Sequence, residues 1–179
     1  MNINALTDLY RHMEWADAAV WASVLASESG RTDAKLREYL YHLHVVQRAF
    51  LRIWRGEPRE APYPAFTDAA SLMLWGRTYY GETFSHLRAL SDERMSGPLR
   101  VPWSAMVEQA LGRAPQTTTV GETVLQVALH SLYHRGQINA RLREVGGEPP
   151  LVDYIAWVWL GRPAPGWPSD SAAAPSGSA

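Results

Sequence analysis

The chain has 179 residues, a formal net charge of −1, 20% charged and 46% apolar residues, six histidines, eight tryptophans and no cysteine. That balance predicts one folded domain with a sizeable core and excludes an intrinsically disordered chain. Near-neutral charge removes the electrostatic basis for binding nucleic acid or an anionic membrane, and the missing thiols exclude a disulfide framework, a thiolate zinc finger, an iron–sulfur cluster and a cysteine nucleophile.

The N-terminal stretch MNINALTDLYRHMEW has neither a basic n-region nor a continuous apolar segment, so a signal peptide is not expected and a cytoplasmic location is. No stretch approaches the about 18 apolar residues of a membrane span. From Ile3 to about Ala26 apolar residues recur at helical spacing (Leu6, Leu9, Tyr10, Met13, Ala16, Val20, Trp21, Val24), with Gly30 read as the stop and Thr32 or Asp33 as the next cap. A second helix is expected from Ala34 to about Arg55, ended by Gly56 and a Pro-containing stretch. A third is expected from the N-cap Thr67 to about Leu90, in which Gly76 and Gly81 suggest close approach of a neighbour.

Residues 91–118 are broken by Gly97, Pro98, Pro102, Gly112 and Pro115, leaving room for a short helix around Ser104–Leu111. The fourth long helix opens on a capping box, Thr119-Val-Gly-Glu122, and ends near Val145 before Gly146-Gly147 and Pro149-Pro150. A short apolar helix, Asp153–Leu160, is expected to pack back on the rest. The reading is an all-α four-helix bundle over residues 1–162 with a long connection between the third and fourth long helices. The Pro/Ala/Ser/Gly-rich residues 163–179 are expected to form a disordered tail.

The fourth long helix carries His130 and His134. Residues i and i+4 lie 40° apart around a helix, so both imidazoles project to one side, a turn apart, as two ligands of one metal ion require. Val127 and Ile138 continue this face, which is expected to point into the bundle. Ser131 follows His130 where a zinc peptidase motif needs a glutamate base, and no Glu is followed three positions later by His, as a di-iron carboxylate bundle needs. A third ligand must come from another helix. His42 and His44 of the second helix lie 200° apart, so at most one faces the site. The stripe Val45, Val46, Ala49 and Ile53 favours His42 as the buried one, leaving His44 as a solvated or groove-lining residue. Glu38, one turn before His42, reads as a supporting partner or a surface charge; His12 and His86 have no partner at ligand spacing.

At these residues the sequence resembles the DinB-like (damage-inducible, YfiT-type) four-helix-bundle metalloproteins. The resemblance rests on His130, then His134-Arg135-Gly136-Gln137, Leu142-Arg143, Gly146, Pro149 and Asp153, on His42 eight positions before the aromatic Phe50, on Trp54-Arg55-Gly56, and on Tyr10 with Trp15-Ala16-Asp17, where Asp17 stands at the usual Asn. It covers roughly Ile3 to Leu160. It implies His42, His130 and His134 as ligands of zinc or nickel, with water completing the shell. Known activities of relatives include thiol S-transfer with bacillithiol or mycothiol and mycothiol-dependent maleylpyruvate isomerisation. A fold shared so widely does not by itself assign a substrate.

Three neutral imidazoles would leave such an ion its full charge and an open position, lowering the pKa of bound water or holding a thiol as thiolate. A thiol nucleophile would have to arrive with a low-molecular-weight cosubstrate, because the chain has none. Arg135 and Arg143 are candidates for anchoring a carboxylate on it, with surface ion pairing the plainer reading, and Gln137 and Asp153 are candidates for orienting ligands or water, with helix capping the plainer reading for Asp153. A metal-dependent thiol S-transferase or related isomerase or hydrolase stands against a non-catalytic metal- or small-ligand-binding bundle. A homodimer is expected, without an interface assigned.

Overall fold

A computed structural model describes residues 2–58 and 62–169. Four long helices, α1 (Ile3–Ala26), α3 (Ala34–Arg55), α4 (Ala69–Arg88) and α7 (Val120–Glu144), form the bundle. α1 packs on α7 and α4, and α3 on the same two, so the order around the bundle is α1, α7, α3, α4. The periodicities place these helices to within two residues. α3 starts where the Asp33 carboxylate accepts from Leu36 N (2.7 Å) and stops at Gly56 in the left-handed region, φ 68°. α7 starts on the expected capping box, with Thr119 Oγ1 accepting from Glu122 N and Glu122 Oε2 accepting from Thr119 N at 2.7 Å.

Three local expectations change. The cap of α4 is Asp68 rather than Thr67, because its carboxylate accepts from both the amide and the hydroxyl of Ser71, at 2.8 Å each. Gly30 does not stop α1: Ser27 caps a separate short helix, α2 (Glu28–Thr32), and Gly30 lies inside it, where a Cβ would meet Val24 O at 2.4 Å. Of the two glycines in α4, only Gly76 marks a close approach. A Cβ there would lie 2.3 Å from His44 Nε2, whereas one at Gly81 meets nothing within 4 Å. Gly76→Ala is therefore expected to destabilise by about 1–3 kcal/mol through overpacking, outweighing the about 1 kcal/mol of helix propensity it gains. Gly81→Ala should gain stability; paired urea titrations check both signs.

The long connection is built rather than loose. It holds α5 (Asp92–Ser96), the two-residue strand β1 (Pro98–Leu99), α6 (Ser104–Leu111) and β2 (Thr118–Thr119), with Pro98 paired to Thr119 and Leu99 to Thr118. Strands this short carry no alternation for a sequence pattern to register. The last helix, α8 (Tyr154–Trp159), buries Trp157 and covers His12 of α1, whose ring lies among Trp15, Tyr154 and Trp157 and whose Nε2 donates to Val152 O at 2.9 Å. Residues 163–169, expected as the start of a disordered tail, lie instead on the bundle. Trp167 packs beside Tyr80 and donates from Nε1 to Glu14 Oε1 at 3.1 Å, an anchor that composition hides among Pro, Gly and Ala. Residues 170–179, the rest of that tail, lie outside the described residues.

Burial holds the His12 imidazole below its ordinary pKa, with the Val152 carbonyl opposing the shift only in part. The sign follows from linkage. Below about pH 6.5 the unfolded chain takes up a proton that the folded chain resists, so this group's contribution is complete above pH 6.5 and is lost on acidification. Stability is expected to fall between pH 7.5 and pH 5, and His12→Gln, which keeps a donor for Val152, should flatten the fall in urea titrations.

Candidate metal centre

Two faces of α3 compete for the interior. Its buried residues are Leu36, Leu40, Leu43, His44, Gln47, Phe50, Leu51 and Trp54, a stripe that alternates in threes and fours and leaves Val45, Val46, Ala49 and Ile53 only partly covered. The burial expectation is thereby reversed for both histidines: His44 is fully buried and His42 is exposed. On α7 the interior stripe runs through Val124, Val127, Ser131, Arg135, Ile138 and Leu142. His130 and His134 each precede an interior residue by one position. They therefore stand at the mouth of the α3–α7 groove rather than inside the bundle as expected.

At that mouth three imidazoles converge. Ring centroids are 4.3 Å apart for His130 and His134, 4.6 Å for His42 and His134, and 5.7 Å for His42 and His130. One ligand nitrogen from each lies within 4.8 Å of the other two. Small ring rotations bring such a set onto one ion with bonds of about 2.0–2.1 Å. The protonation states suit that use. Burial, then the charges of His134 and His42, lowers the His130 pKa to about 4, and burial followed by His134 lowers that of His42. Both rings are accordingly neutral, as metal ligands must be. His134 Nδ1 donates to Gln137 Oε1 at 2.7 Å, which leaves Nε2 with its lone pair free. His130 Nε2 is buried without a hydrogen-bond partner among the described residues. A buried nitrogen left unpaired is costly unless something binds it, so the residues present fit a metal ion.

The other candidates fall in different places. Gln137 supports His134 directly, and its amide also donates to Tyr133 OH at 3.3 Å. Arg135 is no surface anchor: its side chain is 2% exposed and its NH1 donates to the Asp17 carboxylate at 2.8 Å. Arg143 is exposed on the last turn of α7, two turns beyond His134. Asp153 occupies the N-cap position of α8 without a side-chain capping bond, and its charge acts on His12 rather than on the cluster. Glu38 pairs with Lys35 at 2.9 Å and bears on His42 only through its charge.

Behind the cluster lies a buried polar chain that spacing arguments missed. Trp21 Nε1 donates to His44 Nε2 at 2.9 Å, so His44 carries its proton on Nδ1 and donates to Gln47 Oε1 at 2.8 Å. Gln47 Nε2 donates to Asp17 Oδ2 at 2.9 Å and to Ser131 Oγ at 3.2 Å, and Tyr80 OH donates to the same Asp17 oxygen. All four long helices contribute, and Ser131 and Arg135 sit next in sequence to His130 and His134. The chain thus fixes the rotation of α3 and α7 on which convergence of the three imidazoles depends. The stripe from Leu36 through Leu43 and Gln47 to Trp54 was the available signal, since it puts Gln47 and His44 inside.

Residues 1–164 match the DinB family, described by that name. No curated protein matches the chain.

Proposed function

We propose, from the premise that the chain belongs to the DinB family, that His42, His130 and His134 hold zinc or nickel and that the protein is a metal-dependent thiol S-transferase or related isomerase or hydrolase of the cytoplasm. The observation that carries the metal reading is the convergence of three imidazoles at which the buried His130 Nε2 has no other partner. A divalent ion bound there would keep its full positive charge and acidify a thiol or water brought to it. The chain's own residues hold the frame: Gln137 fixes the tautomer of His134, and the Asp17–Arg135 pair fixes α7 against α1. With no cysteine in the chain, the sulfur comes from a low-molecular-weight thiol cosubstrate. In the transferase reading a sulfur–carbon bond forms at the electrophilic substrate, and the leaving group departs with the electron pair of the bond that breaks.

Metal content of the purified protein, followed by loss of a chlorinated or epoxide probe with bacillithiol, mycothiol or glutathione, tests this reading. One metal per chain and turnover abolished by chelator are expected. Metal binding without turnover favours the second reading, a non-catalytic metal- or ligand-binding bundle, which the lack of a free carboxylate beside the imidazoles among the described residues supports: Glu38 is exposed and paired with Lys35. No helix among the described residues is long and apolar enough to cross a membrane. The exposed Leu129, Leu132 and Tyr133 on α7 support a homodimer. Light scattering should give twice the chain mass, and Leu132→Glu should return it to one.

A further inference from the structure

A cavity of about 960 Å³ lies between the connection that precedes α7 and the α3–α7 pair, at the upper end of the range for sites that hold small organic molecules. Its walls include Phe50 of α3, Leu99, Val101 and Trp103 of the connection, and Thr123 and Gln126 of α7. Phe50 and Trp103 meet edge to face, with ring centroids 5.1 Å apart.

The cavity and the imidazoles both border the α3–α7 pair, at different levels along it. α3 and α7 run antiparallel: His42 faces His130 and His134 at one level, and Trp54 Nε1 donates to Thr123 Oγ1 at 3.0 Å at another. Gln126 lies one turn before His130, about 6 Å along the axis, and Phe50 lies eight residues past His42, about 12 Å. Gln126 is exposed and carries no hydrogen bond among the described residues, whereas the Thr123 hydroxyl is taken up by Trp54 and by Val120 O. The lining carries one cation, Arg100, and two carboxylates, Glu108 and Glu122, a balance that favours no anionic ligand. The Glu122 carboxylate is held by Thr119.

We infer that this cavity receives the uncharged aromatic or branched apolar end of an elongated substrate whose reacting end reaches the three imidazoles along the α3–α7 groove, past Gln126. The inference rests on the metal reading above and adds the class of molecule: an apolar head and a reacting head separated by a spacer of about 6–12 Å. The apolar wall made by Phe50, Leu99, Val101 and Trp103 selects the apolar head, since aromatic and aliphatic side chains recover affinity only from surface that leaves water.

The test uses the full chain loaded with zinc, with bound zinc measured first. Phenylalkyl hydroxamates of increasing spacer length, whose hydroxamate binds zinc, are titrated by calorimetry against acetohydroxamate, which lacks the ring. The expected result is an affinity optimum at an intermediate spacer, at least about tenfold above acetohydroxamate, corresponding to about 1.4 kcal/mol. Trp103→Ala should erase most of that optimum while leaving zinc content and acetohydroxamate affinity unchanged. Val107→Trp, which fills the cavity from the exposed side of α6, should do the same without removing a packed side chain. A flat length series on zinc-loaded protein overturns this inference alone, as does an optimum that both variants leave intact. Failure to bind zinc overturns the metal reading and this inference with it.

Discussion

Asp17→Ala is expected to lose about 3–5 kcal/mol of folding stability, because it strands the Arg135 guanidinium in the middle of the bundle. Both side chains of the pair are essentially excluded from water, 2% and 0% exposed, and Arg135 Nε already lacks a partner among the described residues. A guanidinium cannot neutralise itself by losing a proton, so the variant must carry a buried charge or open the bundle. The Tyr80 hydroxyl loses its acceptor in the same step, and the Gln47 amide loses one of its acceptors and keeps Ser131 Oγ. For a chain of this length that loss corresponds to a fall in Tm of roughly 10 °C. Asp17→Asn should cost less, since an amide oxygen still accepts from Arg135 while the charge goes unpaired. Arg141→Ala is the control: its pair with Asp33 is similarly short at 2.7 Å but partly solvated, so about 0.2–1 kcal/mol is expected. Equal losses for Asp17→Ala and Arg141→Ala in urea titration would show that burial does not decide the cost.

That pair also shows what a sequence can and cannot disclose. Helix spans were legible because caps and breakers act locally. Asp33, the Thr119–Glu122 box and Gly56 settle their ends through bonds to residues within four positions. The i, i+4 relation of His130 and His134 was legible for the same reason. Which face of α3 turns inward is a property of four helices together. Two stripes were available, and the one holding His44 and Gln47 was disguised because its polar members depend on partners from other helices, Trp21 and Asp17 of α1 and Ser131 of α7. Burial therefore pointed to His42 for a wrong reason, and the eight-residue spacing to Phe50 pointed to it without reference to burial. Arg135 was misplaced likewise: a lone arginine reads as surface until its buried carboxylate is found 118 residues away.

Each of His42→Ala, His130→Ala and His134→Ala is expected to abolish stoichiometric zinc or nickel, measured by elemental analysis after dialysis against a weak chelator. The three imidazoles are the whole protein contribution to the proposed centre, and removing one leaves two ligands that cannot close a shell. Gln137→Leu sets the scale. It deletes the acceptor that orients His134 through Nδ1 at 2.7 Å, a change expected to weaken binding by about 10–100-fold without emptying the site at high metal concentration. His44→Gln discriminates placement from number of histidines. His44 is buried, with both ring nitrogens engaged by Trp21 and Gln47, so its loss should lower stability and leave the metal stoichiometry at one. The decisive comparison is between the two histidines of α3. If His42→Ala retains metal and His44→Gln loses it, the centre lies in the interior stripe and not at the mouth of the α3–α7 groove. The opposite result ties the metal to His42, the α3 histidine whose ring meets both His130 and His134.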